Sequence, residues 1–421
     1  MDGIALQWSA IEKLIFRFAF LLLTLFMFFF NNGTFPMFYF IAKLQNHFLH
    51  QFIPWLGRKV FHLPYDITVF TNGSGDTTYD YIVLSCVATI SLIGALIWSV
   101  LDTKRLNYNR LYYWLNVGVR FYVGLMLINY GLVKVVQLQF PAPNFWRMMT
   151  TYGESSPMGL AWTFLGFSKG YNLFMGIAEL MASLLFFRRT ITIGAIITLM
   201  TTANVMAVNY FYDVPVKIIS TALVVMCLFL LAPNFNRLIK LFFMGEPTVL
   251  RMLDAPIVNK RWKKITKYTL KYLLIGFMIF GGISNIYRGY KMYGAGSPKS
   301  PLYGAYKVDS FMRNGELITT SDTTKTRWDA LVMQGLEHGA IKNLDTLEYV
   351  NIVTDTIAKK IQFGFTNDPN MKYKLNYQLR GNRLFLNGIL FSDTVNISLT
   401  KMKFELVDRK LNWINEHPYN R

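Results

Sequence analysis

Apolar runs of about twenty residues, bounded by charges, recur along this chain, and no other feature restricts its fold so tightly. An α-helix rises about 1.5 Å per residue, so roughly 20 apolar residues cross the ~30 Å hydrocarbon layer with every backbone N–H and C=O satisfied internally. Seven stretches have that character: 11–30, 81–101, 111–140, 171–187, 191–210, 216–231 and 268–287. Charged residues make up 16% of the 421, against about 25% in soluble domains, which fits a surface facing lipid. The expected fold is an α-helical integral membrane protein with about seven transmembrane helices. The first run has the length of a true span and no A-x-A site follows it, so it reads as a signal anchor.

A formal net charge of +19 would suit nucleic acid, but the basic residues crowd the short segments between spans. Lys104, Arg105 and Arg110 follow the second span, and Arg188 and Arg189 follow the fourth. Arg237, Lys240, Arg251, Lys260, Arg261, Lys263 and Lys264 follow the sixth. If the spans alternate, all three basic loops fall on one face, which the positive-inside rule makes the cytoplasm. The N-terminus is then inside, and the loops 31–80, 141–170 and 211–215 lie outside with everything after Tyr287. Membrane lipids and protein partners are the expected company; nucleic acid is not.

Within 31–80, the stretch 35–55 is too polar to span at Lys43, Gln45, Asn46, His47 and His50. It reads as an interfacial or re-entrant helix with Trp55 and Arg58 at the headgroups. The loop Thr71-Asn-Gly-Ser-Gly-Asp-Thr-Thr78 after it either offers Ser, Asp and Thr side chains to cap the next helix or forms a ligand-binding loop. Beyond a Gly/Pro/Ser linker at 294–301, and past Asp345, the apolar period becomes two. Tyr373, Leu375, Tyr377 and Leu379 alternate, then Leu384 and Leu386, then Val395, Ile397 and Leu399, then Met402, Phe404 and Leu406. Alternation broken by turn residues signals antiparallel strands, so a C-terminal antiparallel β-rich domain is expected, as a small sheet or partly closed barrel. A short helix is expected at 327–334. The boundaries are 1–110 for the first two spans with their outer loop, 111–241 for spans three to six, 242–287 for a basic loop and the seventh span, and 288–421 for the β-rich domain.

Ionisable groups inside a bilayer are costly and usually face the bundle interior. At 100° per residue, Asn116, Arg120, Tyr130, Lys134 and Gln137 share an arc of about 100° on the third span. Glu179 shares a face of the fourth span with Asn172 and Ser183. The fifth span carries Asn204 and Asn209. The sixth opens with Tyr212-Asp-Val-Pro-Val-Lys217, where Pro215 suits a first helical turn and Asp213 can cap it. Lys217 is a cation near a helix N-terminus, where the dipole opposes it, so it calls for an anionic partner: Asp213, Glu179, a lipid phosphate or a ligand. Arg120, Tyr130, Lys134, Glu179, Asn204, Asn209, Asp213 and Lys217 are therefore the candidate site. They either pair to hold the bundle together, line a pocket for a quinone, lipid or small anion, or form a proton or ion pathway.

No P-loop, dinucleotide fingerprint or H-E-x-x-H motif is present. None of the five histidines lies in a span, which argues against bis-histidine haem. His47-x-x-His50 has a metal-compatible spacing without a third ligand. Asp322, Arg327 and Trp328 are candidates for a binding edge in the C-terminal domain, or for a turn and a core tryptophan. Cys86 and Cys227, the two cysteines, make neither a C-x-x-C motif nor a disulfide framework.

The stretch 120–241 resembles the DoxX-like (DoxX/DoxD) membrane proteins. The matching pieces are Tyr130-Gly-Leu-Val-Lys134, Gln139-Phe-Pro141, Tyr171-x4-Gly176-x2-Glu179, Arg188-Arg-Thr190, Asn204-Val205, Asn209 and Tyr212-Asp-Val-Pro-Val-Lys217. Longer bacterial members are similar at Asn72-Gly-Ser-Gly-Asp-Thr77 and at the closing residues 413–421. The resemblance implies a four-helix core made of spans three to six in a bacterial cytoplasmic membrane. It also implies a subunit role, since some members look like parts of quinone-linked sulfur oxidoreductases or membrane redox complexes. A quinone or a bound lipid is the ligand it suggests. Bundles of this kind in vitamin K epoxide reductase-type enzymes need a cysteine pair, which this chain lacks by motif.

Overall fold

The computed structural model describes residues 7–35, 38–71, 75–253, 255, 260–319, 327–343, 346–365, 368–409, 412–417 and 419. Asp322, Asn72 and Ser74 of the sequence reading lie outside them, as do parts of the closing 413–421 motif. The helices in chain order are α1 (Ala10–Phe29), α2 (Tyr39–Lys59), α3 (Thr78–Leu101), α4 (Asn109–Val135), α5 (Phe145–Met149) and α6 (Pro157–Phe167). Then come α7 (Lys169–Leu180), α8 (Ile191–Phe211), α9 (Lys217–Leu231), α10 (Phe235–Phe243), α11 (Arg261–Met292) and α12 (Glu405–Asp408). Two compact units divide the chain. One comprises Met1–Gln139, Pro157–Ala161 and Gly170–Ile286; the other Phe140–Ser156, Trp162–Lys169 and Tyr287–Arg421.

The first unit is helical. Among the described residues five helical stretches are long and apolar enough to cross a membrane: Thr78–Leu101, Asn109–Val135, Ile191–Phe211, Lys217–Phe243 and Arg261–Met292. The chain is thus a helical membrane protein. The other two expected spans are also helical but differ in kind. Helix α1 has 20 residues and carries Glu12, Lys13 and Arg17. At the fourth, α7 ends at Leu180 and the chain tightens into a 3-10 segment, Met181–Phe186. Capping boxes start α1 at Ser9 with Glu12 and α3 at Thr77 with Asp80. Phe16, Phe26, Tyr79, Val119, Tyr122, Leu223 and Met226 belong to one buried core linking α1, α3, α4 and α9. Arg17, buried among them, is fully engaged: it donates to Tyr108 Oη (2.9 Å), Ser99 Oγ (2.8 Å) and the Asp102 carbonyl (2.7 Å).

Among the described residues the second unit is built on nine strands: β1 (Gly304–Arg313), β2 (Glu316–Leu317), β3 (Ala330–Met333), β4 (His338–Asn343), β5 (Thr346–Asp355), β6 (Lys360–Phe365), β7 (Asp368–Arg380), β8 (Arg383–Leu390) and β9 (Asp393–Lys401). All pairings are antiparallel in the order β2-β1-β3-β4-β5-β6-β7-β8-β9, and β1 also pairs β9, so the sheet closes into a barrel. Closure sets Val308 opposite Leu399 and Phe311 opposite Ile397, with a bulge between Val308 and Ser310. Inward residues such as Val395, Ile397 and Leu399 alternate with outward ones. About eight strands enclose a space that side chains just fill, and here Trp328, Phe311, Phe363, Leu331 and Ile361 fill it. Phe145 of α5 packs on the same unit, against Tyr303 (4.8 Å) and Phe404 (5.9 Å).

Three expectations for this unit need correction. The helix expected at 327–334 is strand β3, with all four of its residues buried between β1 and β4. Strands also start at Gly304, well before Asp345. Met402, Phe404 and Leu406 form no strand: β9 ends at Lys401, opposite Tyr306, and Leu406 lies in α12. Beyond that register a backbone hydrogen bond from Met402 N to the Ala305 carbonyl (2.8 Å) still ties the chain to β1.

Candidate functional site

Lys134 and Glu179 meet where α4 and α7 make their closest approach. A Cβ built on Gly131 would lie 2.8 Å from the Gly176 carbonyl oxygen, and one on Gly176 would lie 2.7 Å from that of Gly131. Only glycine fits on both sides, so the two backbones touch. Lys134 follows Gly131 by three residues and Glu179 follows Gly176 by three, which carries both side chains one turn along the same face of each helix. Their Nζ–Oε1 separation is 2.5 Å, with 4% and 2% of the side chains exposed. Among the described residues Glu179 Oε2 accepts no hydrogen bond. Lys134 sits in the last turn of α4, where a helix favours a cation.

Tyr130 extends this pair towards a cavity. Its ring lies 5.7 Å from Lys134 Nζ, and its hydroxyl accepts from Asn32 Nδ2 at 2.8 Å. Asn32 lines a cavity of about 740 Å³. Phe28, Phe29, Phe35 and Phe38 supply apolar walls; Asn31, Asn32, Thr71 and Asp80 supply polar groups. Asp80 is 1% exposed, and hydroxyls satisfy it: Thr77 Oγ1 donates at 2.6 Å and Thr71 Oγ1 also donates. The position of this cavity, beside α1 to α3, differs from the sequence expectation of a pocket among spans three to six. The signal was weak because Asn31 and Asn32 look like ordinary turn residues after the first span.

Asp213 and Lys217 form a second group. Lys217 Nζ lies 3.0 Å from Asp213 Oδ1 and 3.9 Å from Asp76 Oδ2. Its partners are these carboxylates, not Glu179. Asp76 is the larger surprise, because its carboxylate caps α9, accepting from Lys217 N (2.7 Å) and Ile218 N (3.0 Å). The cap expected of Asp213 is thus supplied from 141 residues away. Asp213 is itself 83% exposed, and Pro215 lies before the helix, which begins at Lys217. Pro215 cannot hold the first helical position because Val216 is the N-cap. Asn209 is buried and donates to the Val216 carbonyl at 3.3 Å, closing the α8–α9 turn. Asn204 is exposed on α8, so it lines no interior pocket.

Arg120 stands apart again. Fourteen residues of helix separate it from Lys134, roughly 21 Å along the axis. It is buried, with Tyr113 and Arg188 in electrostatic reach. The single cluster expected from the sequence is therefore three: Lys134–Glu179 with Tyr130, Lys217 with Asp213 and Asp76, and Arg120. Elsewhere, His50 stacks on Phe70 at 4.3 Å, Cys86 and Cys227 are free thiols, and Trp328 is a core residue of the barrel.

No family model matches the chain, and no solved structure matches it. The chain is 35% identical over 152 residues to "Uncharacterized protein YwoB" of Bacillus subtilis (strain 168). That match takes in 34% of this chain and 87% of the relative. With most of that relative covered at this identity, the chain belongs to the YwoB family.

Proposed function

We propose that the protein is a DoxX-like subunit of a complex in a bacterial cytoplasmic membrane, crossing it seven times. It holds a lipid or quinone-like ligand in its intramembrane cavity and docks protein partners through the outer surface of its C-terminal barrel. The cavity carries this reading: about 740 Å³ lies within the ~300–1,000 Å³ typical of small-molecule sites, which are mostly apolar with a few placed polar groups. An isoprenoid or acyl tail suits the phenylalanine walls, and a headgroup suits the Asn31, Asn32 and Asp80 end. The barrel interior is filled by its own side chains, so its contribution to binding comes from outside the sheet. Packing of Phe145 against Tyr303 and Phe404 supports placing the start of the 141–170 loop and the barrel on one side of the membrane.

The test is to titrate menaquinone into purified protein and follow quenching of intrinsic fluorescence, with organic extracts of the same preparation analysed for native lipid or quinone. Saturable binding weakened by Asn32→Leu is expected. An empty extract together with no saturable binding would end this reading. A second reading, a quinone-linked oxidoreductase subunit, draws on the line of polar groups from Asn32 through Tyr130 to Lys134 and Glu179, which gives a ligand in the cavity a buried acid for proton exchange. Quinone turnover unaltered in Glu179→Gln would remove it.

A further inference from the structure

Two buried arginines in the helical unit, Arg17 and Arg120, are each 5% exposed and are treated oppositely. Arg17 donates to three oxygens. Among the described residues Arg120 Nε has no hydrogen-bond partner, and no carboxylate forms an ion pair with its guanidinium. One turn earlier on the same face of α4, Asn116 is 1% exposed, and both Nδ2 and Oδ1 of its amide lack partners. Among the described residues the charged groups that act on Arg120 and Lys271 are positive. Arg188 lies in electrostatic reach of Arg120, and Lys271 lies in reach of both Arg120 and Lys267. The arrangement is held firmly. Lys271 Nζ donates to the Phe186 carbonyl at 2.7 Å, and Leu125, Ile128, Phe186 and Met278 pack α4 and the 3-10 segment against α11.

A buried cation without a counter-charge is strongly disfavoured, and like charges beside it add to the cost. An anion between these groups removes both penalties and satisfies the Asn116 amide. The planar guanidinium fork matches the oxygens of phosphate, while lysine ammonium groups act as point charges towards it. Arg188 beside the site opens the basic segment after the fourth span, on the side where anionic headgroups concentrate under the positive-inside orientation.

We propose that Arg120, Asn116 and Lys271, flanked by Lys267 and Arg188, bind a phosphate group, presented by an anionic phospholipid. This site is separate from the cavity beside Asn32 and does not depend on what that cavity holds. Full-length protein is reconstituted in phosphatidylcholine nanodiscs with and without phosphatidylglycerol, and retained lipid is read by native mass spectrometry; inorganic phosphate is titrated calorimetrically in parallel. Wild-type protein is expected to retain phosphatidylglycerol over phosphatidylcholine, and Arg120→Gln to weaken that preference at least about tenfold. Lys271→Gln, at a half-buried position that tolerates the change, should weaken it in the same direction. Phosphate binding that both variants lose, without lipid retention, supports the same site with a soluble occupant. If neither anion binds, or if Lys271→Gln and Arg120→Gln both bind like wild type, the proposal is overturned.

Discussion

Glu179→Leu removes an acid from beside Lys134, whose side chain is only 4% exposed. The ammonium is then left in a low-dielectric interior, where breaking a buried pair costs about 3–5 kcal/mol. Lys134→Met strands the Glu179 carboxylate in the same way, at 2% exposure. The double variant Lys134→Met/Glu179→Leu strands neither, and hydrophobic replacement of a whole buried pair is commonly neutral or stabilising. The expected pattern is two strongly destabilised single variants and a double variant within about 1 kcal/mol of wild type. Titration with sodium dodecyl sulfate in mixed micelles, followed by helical circular dichroism, supplies the unfolding free energies. If the two losses simply add, the side chains are not a mutually dependent pair, and the reasoning from the Gly131–Gly176 crossing fails. The double variant also separates structure from function: a protein that unfolds like wild type and no longer binds quinone places the charges in the ligand's service.

Asp76→Ala removes the acceptor for two backbone N–H groups of α9 and should cost about 1–2 kcal/mol, seen as faster hydrogen exchange confined to the first turn after Val216; unchanged protection there would refute the cap. Gly176→Ala places a methyl 2.7 Å from the Gly131 carbonyl oxygen, so a loss of about 1–3 kcal/mol is expected in the same detergent titration, and wild-type stability would show that the helices are not in backbone contact. In the β8–β9 turn Phe391 and Ser392 both take positive φ, at 50° and 76°, so Ser392→Gly should stabilise the barrel by roughly 0.5–1 kcal/mol; a lowered melting temperature would contradict that. Hydrogen bonds from the Asn314 side chain and from Arg313 hold the Asp393 carboxyl below its usual range. A carboxyl depressed in the folded state contributes stability that is complete above its unfolded pKa and is lost as pH falls through the folded value. Barrel melting should therefore be level above about pH 5 and fall at lower pH, less steeply in Asp393→Asn; identical profiles would exclude the linkage.

The parts of this protein that a linear reading recovers are those governed by local periodicity. Twenty apolar residues announce α3 or α8, and alternation announces β7 to β9, because burial acts on every residue of such an element. Lys134 and Glu179 were legible as costly groups on inward faces, although not the glycine contact that joins them. Other features depend on partners remote in sequence. Asp76 reads as a cap for α3, and nothing near it indicates that its carboxylate reaches α9. Trp328-Asp-Ala-Leu-Val-Met333 has no alternation because β3 is buried on both sides. The shift from α7 into a 3-10 segment likewise arises where Leu184 and Leu185 pack against Gly194, a tertiary demand that Tyr171–Leu180 does not foreshadow.

The pairing of β1 with β9 imposes an order of events. Gly304 leaves the ribosome almost a hundred residues before Lys401, and until then its strand has no permanent neighbour on one flank. Every chain in synthesis thus passes through a stage with two open sheet edges, the kind of surface that recruits other strands. A stop codon within β5 to β8 would make that stage permanent. The hazard of a nonsense mutation here is adhesive protein, not merely absent function.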